Sequence, residues 1–327
     1  MISEYDISVI VPCYNATRYL SVCLESLKAQ RAPKIEMIFI DDGSTDSTGA
    51  MLDAFARTEP RAKVIHVRNE GVSAARNRGI ALAKGRYIAF MDADDALEEN
   101  ALSILFQAAV RTGAQITSAN HTLFDMGKNC RVPVKIEPVV PRASEIVREI
   151  IHMHRIYNNL WNKLYTRELF ADGLKLDENV RIGEDALLNL QLYLHAKSVA
   201  HIPDHTYVYR VHESSAMANM GMYSQAHQPM LRSMSAILTR EGVKEVYFRD
   251  FLQSCIWVDE KEKGIMACMR KFNADIRPLV MENIDPTKIS ERDRWVYKAV
   301  VGGYFPQAYI LLRVREKLTR KKWGIRR

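Results

Sequence analysis

Cysteine is scarce in this chain and long hydrophobic runs are missing, and each absence excludes a class of protein. The 327 residues include five cysteines, and no two are spaced as Cys-x-x-Cys, so we expect neither a disulfide framework nor a cysteine zinc site. The longest nearly uncharged apolar run, 299–312, contains a proline and two glycines and is shorter than the roughly 20 residues of a spanning helix. The first residues lack the basic and apolar regions of a secretory signal. We therefore expect a cytoplasmic chain without a transmembrane segment.

Common nucleotide-binding fingerprints are also missing. Neither G-x-G-x-x-G nor G-x-x-x-x-G-K-[ST] occurs, which disfavours dehydrogenases and P-loop enzymes. The segment VPCYNATRYL (11–20), which follows the first predicted strand, contains no glycine, whereas a nucleotidyltransferase would need a glycine-rich basic loop there. No basic stripe interleaved with aromatic residues is present, so nucleic acid is not an expected partner.

Positive charge is concentrated at the end of the chain. The sequence has 46 Lys or Arg against 39 Asp or Glu, a net charge of +7. Residues 313–327 contain eight Lys or Arg and one Glu, so this basic tail carries a net charge equal to that of the whole chain. Such a tail suits an anionic membrane surface, at about 1 kcal/mol per basic residue. A solvated or disordered terminus is the alternative interpretation.

Apolar periodicity in the first third predicts alternating strands and helices. Four short apolar segments are predicted to be buried strands: 7–11, 35–40, 64–67 and 87–91. The segments between them have helical periodicity: 17–30, 45–56 and 72–83. This order predicts an α/β fold with a mostly parallel sheet flanked by helices. A helix over 100–112 and a strand over 116–119 follow, the proline-containing stretch 132–141 is irregular, and the chain is predicted to be mainly helical from about residue 221.

Polar residues follow each of the four predicted strands. In chain order they are Tyr14 and Asn15, then Asp41 and Asp42, then Asn69, then Asp92, Asp94 and Asp95. Because ligands of open α/β sheets bind outside the carboxyl ends of parallel strands, we expect these side chains to face one crevice.

The aspartates among them allow two interpretations. Carboxylates bind Mg2+ or Mn2+, and a metal with open positions can hold the phosphates of a nucleotide diphosphate. The triplet that begins at Asp92 can instead cap the helix that follows it. Asp41 and Asp42 can likewise belong to a capped loop, or they can meet a ligand that offsets the cost of burying two acids.

Four segments in order resemble the inverting family 2 glycosyltransferases of the GT-A fold. They are VIVPCYN (9–15), DDGSTD (41–46), NEGVSAARNRGI (69–80) and AFMDADD (89–95). Two later segments, LWNKLYTRELF (160–170) and IGEDALLNLQLY (182–193), resemble acceptor-side motifs of bacterial members. The resemblance covers about residues 5–215. It implies a catalytic domain over 1–220, with a nucleotide-binding half at 1–118 and an acceptor-side half at 119–220, followed by a helical region at 221–327 that ends in the basic tail.

The resemblance also implies a nucleotide pocket. Its residues would be Pro12, Tyr14, Asn15, Asp41, Asn69, Arg76 and Asp92. Among them, Asp41 would contact the uracil ring and Arg76 the opposite edge of that ring. Asp92 would meet the ribose or the donor sugar.

Metal, base and acceptor residues follow from the same resemblance. Asp94 would bind Mn2+ or Mg2+, and His212 would complete the metal shell unless it is a loop histidine. Asp185 would be the general base with Glu184 beside it, although a charged helix start is the alternative. Trp161 would offer an apolar face to an acceptor sugar unless it is a core residue.

The function expected from the resemblance is transfer of one sugar from a nucleotide-sugar, with UDP as the expected nucleotide, to a saccharide or lipid-linked acceptor. The expected setting is bacterial surface polysaccharide or lipopolysaccharide synthesis at the inner face of the membrane. A non-catalytic nucleotide-sugar-binding module and a nucleotidyltransferase are the alternatives.

Overall fold

Continuous apolar runs form the central strands of the structure, as the sequence predicts for strands that are covered on both faces. The structure is a computed structural model that describes residues 4–31, 34–136, 142–151, 158–213, 220–247, 250–251, 274 and 277–303. Its first strands and helices are β1 (Tyr5–Cys13), α1 (Thr17–Lys28), β2 (Ile35–Asp42), α2 (Thr48–Thr58), β3 (Ala62–Val67), α3 (Val72–Leu82) and β4 (Gly85–Phe90). Every residue of β2 is buried. On α1, the residues spaced at helical period, Leu20, Cys23, Leu24 and Leu27, are buried as well.

The second part of the chain extends the sheet. Its elements are β5 (Ala96–Leu97), α4 (Ala101–Thr112), β6 (Ile116–Asp125), β7 (Cys130–Val134), α5 (Ala143–Ile151), β8 (Lys163–Thr166), a 3-10 helix (Arg167–Phe170), α6 (Glu184–His195) and β9 (Val199–Val211). The described helices beyond β9 are α7 (Met220–Arg240), α8 (Arg277–Asn283) and α9 (Glu291–Val301).

The sheet has the strand order β3-β2-β1-β4-β8-β6-β9-β5, with β7 paired to β6. The first four strands are parallel. β8 pairs antiparallel with both β4 and β6, and β6 pairs parallel with β9. The predicted α/β class is confirmed, and all four predicted strands of the first third are present. The short strands β5, β7 and β8 were not predicted, because their few residues carry no clear alternation.

The described residues divide into two compact units. One lies within Met1–Val147 and Arg155–His227, and the other lies within Arg148–His154 and Gln228–Arg327. The predicted boundary between residues 220 and 221 stays a proposal. The predicted basic tail, 313–327, lies outside the described residues, as do parts of the predicted helical region. Within the described part of the chain, none of the helices combines the length and the apolar character that crossing a bilayer needs.

Candidate active site

The carboxyl ends of β1 and β2 are held together by their loops. Asn15, which follows β1 with a φ of 47°, donates its backbone N–H to Ser44 Oγ at 3.1 Å. Its own side chain accepts the backbone N–H of Thr45 at 2.8 Å. Pro12 pairs with Ile40 inside the sheet, and the side chain of Tyr14 is exposed. Asn15 therefore fixes the loop after β1 to the loop after β2, and the ring of Tyr14 beside it is exposed.

Asp41 is a buried carboxylate at the end of β2. It accepts the backbone N–H of Ser44 at 3.1 Å, and its other oxygen lies 2.7 Å from Nδ1 of His66. Burial raises the pKa of Asp41, but hydrogen bonds from Ser44 and His66 lower it by more, so its pKa is below the ordinary value. The ring of His66 also reaches Asp53, at 3.1 Å. Asp41 is thus held ionised as a hydrogen-bond acceptor.

Asn69 lies at the mouth of the same crevice. The side chain of Asn69 is exposed, and the backbone at Asn69 passes close to Gly43. A Cβ at Gly43, whose φ is +71°, would lie 2.7 Å from the backbone nitrogen of Asn69. The left-handed backbone and this close approach both require glycine at position 43.

Two of the aspartates serve the fold. Asp42 accepts the backbone N–H groups of Glu70 and Gly71, each at 2.8 Å, and so fixes the turn after β3. Asp95 is buried, and it accepts the Tyr207 hydroxyl at 2.7 Å and the backbone N–H of Arg210 at 2.8 Å. Neither residue caps the helix that follows it in the chain, because Asp42 binds the loop after β3 and Asp95 binds β9.

Asp94 and His212 form the candidate metal pair. Asp94 Oδ2 lies 3.0 Å from His212 Nε2, and the His212 ring stacks on Tyr19 with 4.0 Å between ring centroids. Arg210 donates to the backbone carbonyl of Asp94 at 3.0 Å. Burial and the neighbouring charge of Asp92 raise the pKa of Asp94, which His212 partly offsets. The predicted partners Asp94 and His212 are thus brought together from strand ends 118 positions apart.

Arg76 lies at the centre of an acidic cluster. Its Nη2 donates to Asp92 at 2.9 Å, and its Nη1 donates to Asp185 at 2.7 Å and to Glu184 at 3.3 Å. The side chain is only 6% exposed. Burial lowers the pKa of Arg76, but the carboxylates of Asp185, Asp92 and Glu184 raise it by more. Both terminal nitrogens, which the resemblance assigned to the uracil ring, are engaged with carboxylates here, and the predicted uracil contact stays a prediction.

Asp185 stands in the first turn of α6, where Gly183 precedes the helix with a φ of 86°. Burial raises its pKa to about 7, and Glu184 and Asp92 act in the same direction, whereas Arg76 and the backbone N–H of Leu160 lower it. A carboxylate with a pKa near neutrality suits a general base, because it can take a proton and release it again at neutral pH.

A buried lysine orders the segment 159–163, which contacts Asp185 through the backbone N–H of Leu160. Lys163 Nζ donates to the carbonyl and side-chain oxygens of Asn159, each at 2.8 Å, and to Asn162 at 3.0 Å. Burial lowers the pKa of Lys163 to about 7, although the charge of Asp185 raises it. Asn189 on α6 holds the same segment through the carbonyl of Asn159 at 2.9 Å.

Trp161 lies in that segment and is partly buried. Its ring stacks on Tyr207 at 4.6 Å and on Tyr209 at 5.6 Å, with interplanar angles of 9° and 11°. The edge of His121 completes the group at 4.8 Å. Trp161 is therefore part of an aromatic stack that borders the base segment, and its contact with an acceptor sugar stays a prediction.

Several residues of the site could not be recognised from the sequence. The Tyr207 hydroxyl accepts the backbone N–H of Asp92 and donates to Asp95. The ring of Tyr19 stacks on His212, and His66 Nδ1 is within hydrogen-bond distance of Asp41. The polar end of Tyr207 and the ring of His66 carry no motif signal, because each acts on a residue far away in sequence. Among the described residues there is no group of three or more His, Cys, Asp or Glu side chains that could hold a metal ion.

Sequence comparison shows the family to which the chain belongs. The family model for glycosyl transferase family 2 matches residues 8–172, and the chain belongs to this family. It is therefore a glycosyltransferase by class, as the sequence predicts.

The chain is also similar to individual proteins of known sequence or structure. An uncharacterized glycosyltransferase, EpsJ of Bacillus subtilis, is 33% identical over 64% of this chain, and the match spans 62% of that protein. The crystal structure of S. aureus TarS 1-349 in complex with UDP-GlcNAc has a TM-score of 0.71 and 18% identity, and covers 95% of this chain and 92% of that one. A mannosyltransferase of Pyrobaculum calidifontis, in complex with GDP-Man and Mn2+, has a TM-score of 0.52 and 14% identity over 94% of this chain and 90% of its own. The similarity to TarS confirms the predicted GT-A fold.

Proposed function

We propose that this chain transfers one sugar from a UDP-sugar to an acceptor hydroxyl, with inversion and with Asp185 as the general base. The observation that carries the proposal is the acidic cluster around Arg76. Through one guanidinium it joins Asp185, on the acceptor-side helix, to Asp92, at the donor-side strand end. A base beside a donor site is what direct displacement requires.

The chemistry assigns one task to Asp185. Its carboxylate accepts the proton of the acceptor hydroxyl as the oxygen attacks the anomeric carbon of the donor sugar. The C–O bond to the nucleotide diphosphate breaks on the opposite face, so the anomeric configuration is inverted. Glu184 lies beside the base and supports its geometry or the acceptor.

Donor recognition falls to the crevice at the ends of β1 and β2. Asp41, kept ionised by its hydrogen bonds, suits an N–H donor such as that of the uracil ring, and the exposed ring of Tyr14 can cover a base. Pro12, Asn15 and Asn69 complete this pocket. The complex of the related fold with UDP-GlcNAc supports UDP as the nucleotide.

Asp94 and His212 fit a divalent cation such as Mn2+ or Mg2+. The pair offers one carboxylate and one imidazole, and Asp94 keeps 38% of its side chain exposed toward solvent. Mg2+ sites of this kind use one or two protein ligands and take the rest from phosphates and water. When bound, the cation would neutralise the charge that develops on the leaving diphosphate.

The acceptor side contains the aromatic stack of Trp161 and the segment that contacts the base. We infer a saccharide or lipid-linked acceptor of bacterial surface polysaccharide or lipopolysaccharide synthesis, taken up at the inner face of the membrane. The basic tail, 313–327, would attach the chain to anionic lipid there.

Calorimetric titration with UDP tests the donor site. We expect UDP to bind in the presence of Mn2+, to bind at least tenfold more weakly with EDTA, and to lose this metal dependence in the Asp94→Ala variant, because Asp94 would hold a cation that offsets the charge of the diphosphate. Arg78→Ala, which removes an exposed arginine paired with Glu70, is the matched control.

Screening UDP-sugars for UDP release then separates an enzyme from a binding module. Binding without turnover on any donor and acceptor would favour the non-catalytic module. If the wild-type chain binds no nucleotide diphosphate under either condition, the proposed donor site is wrong.

A further inference from the structure

Helix α3 connects the donor side to the acceptor side through two neighbouring residues. Arg76 reaches Asp92 with one terminal nitrogen and Asp185 with the other. The next residue, Asn77, accepts the backbone N–H of Leu176 at 2.9 Å and donates to Glu178 at 2.9 Å. One turn of α3 thus holds both the base and the loop that precedes α6.

We propose that Arg76 is the positioning residue for the general base, which it holds in register with the donor-side aspartate, and that it is not primarily a contact to the nucleotide. This inference deepens the proposed function and rests on it. The guanidinium is planar and rigid, so the position of Asp92 at one end of the fork fixes the position of Asp185 at the other.

Burial and stoichiometry support the assignment. A nearly buried guanidinium faces three carboxylates, so its positive charge offsets part of the repulsion among Asp92, Glu184 and Asp185. Its Nη1 and Nη2 are both engaged within the protein. Because both nitrogens are bound to carboxylates, Arg76 can hold Asp185 in position whether or not nucleotide is present.

The charged and titratable groups around Asp185 come from four elements. They are Arg76 on α3, Asp92 after β4, Glu184 on α6, and Lys163 and Tyr165 on β8. Arg76 is the first of the influences that lower the pKa of Asp185, and it opposes burial and the two neighbouring carboxylates. Its removal therefore moves the base toward its protonated form.

The direct test is NMR titration of the full chain labelled with 13C at the aspartate carboxyl carbons, with the Asp185 signal assigned by its loss in Asp185→Asn. We expect Arg76→Gln to raise the pKa of Asp185 by about one unit or more, because an opposite charge within 4–6 Å lowers the pKa of a carboxyl by about 1–3 units. Arg76→Lys, which keeps the positive charge, should leave the pKa of Asp185 close to its wild-type value. Arg78→Gln should leave the pKa unchanged. An unchanged pKa of Asp185 in Arg76→Gln overturns the inference.

Kinetics and binding distinguish a positioning residue from a nucleotide contact. For Arg76→Gln we expect a loss of about 100-fold in kcat for UDP release at pH 7, an acid limb displaced to higher pH, and a Kd for UDP with Mn2+ within about twofold of wild type. A Kd raised tenfold or more with kcat unchanged would assign Arg76 to the nucleotide and overturn the proposal.

The proposed function and the positioning role of Arg76 can be contradicted separately. A wild-type chain that binds no UDP overturns the proposed function, and the role of Arg76 with it. A wild-type chain that binds UDP and turns over a UDP-sugar, while Asp185 titrates identically in Arg76→Gln, overturns the positioning role alone. Because the NMR titration needs no turnover, it also shows whether Arg76→Gln is folded.

Discussion

At the scale of single residues, burial separates aspartates that look alike in the sequence. Asp42 and Asp95 are saturated by backbone and tyrosine donors, so they hold loops. The side chains of Asp94 and Asp185 are 38% and 22% exposed, and they lie beside His212 and Arg76, respectively. The difference lies in which hydrogen-bond donors each carboxylate meets, and that follows from the fold rather than from the residue type.

The pH dependence of the proposed activity follows from Asp185. The base acts only when ionised, and burial raises its pKa to about 7, so the rate should fall about tenfold per pH unit below that value and level off above it. Initial rates of UDP release between about pH 5 and pH 9 measure this limb. Because the variant cannot accept the proton, Asp185→Asn should lose about 100- to 10,000-fold in kcat.

Binding provides the control for that loss. Asp185→Asn should keep the affinity for UDP, since Asp185 belongs to the acceptor side. An acid limb near pH 4 in the wild type, or a variant with normal kcat, would show that another group takes the proton.

At the scale of elements, α3 packs on β1 through a glycine. A Cβ built at Gly79 would lie 2.3 Å from Cγ2 of Ile10, so the helix can approach the sheet this closely only with glycine there. The same helix contains Arg76 and Asn77, so its distance from the sheet determines the positions of both side chains.

Gly79→Ala tests this packing. The added methyl group must push α3 away from β1, and overpacking of this kind costs about 1–3 kcal/mol even though alanine is the better helix former. We expect a lower urea midpoint and a reduced kcat, because Arg76 is displaced with the helix. Leu82→Ala, which changes an exposed residue of α3, should alter neither quantity. Equal stability of Gly79→Ala and wild type would show that the helix accommodates the methyl group.

At the scale of the whole molecule, the described residues form two compact units, and the family model matches residues 8–172, most of which belong to the first unit. The second unit, which includes the basic tail, has no motif that assigns it a function. The charge of the tail supports one proposal, which is attachment of the enzyme to an anionic surface.

Truncation before Arg313 tests the attachment. Removing eight basic residues should abolish sedimentation with vesicles that contain anionic phospholipid, and UDP binding should persist because the crevice lies in the first unit. Wild-type binding should weaken strongly between about 0.1 M and 1 M salt, since the charges are screened. Neutral vesicles are the control, and equal binding of the truncated and full chains to anionic vesicles would contradict the proposal.

The sequence by itself determined the alternation of strands and helices in the first third and the polar residues that end each strand. Apolar periodicity is local, and parallel topology places the carboxyl ends of neighbouring strands together, so Asp41, Asn69 and Asp92 could be expected at one sheet edge. The motifs then assigned the family. The α2 helix begins at Thr48, three residues later than predicted, because Asp46 accepts the backbone N–H of Thr48 and keeps the preceding loop non-helical.

Only the tertiary structure decided the contacts within the site. Arg76 meets Asp185 across 109 positions, and Tyr207 meets Asp95 across 112. Spacing in the sequence contains no information on such distances, because they depend on how β8, α6 and β9 are added to the sheet. The pKa of the base was likewise beyond the sequence, since burial and three neighbouring charges set it together and none of these is a property of the residue itself.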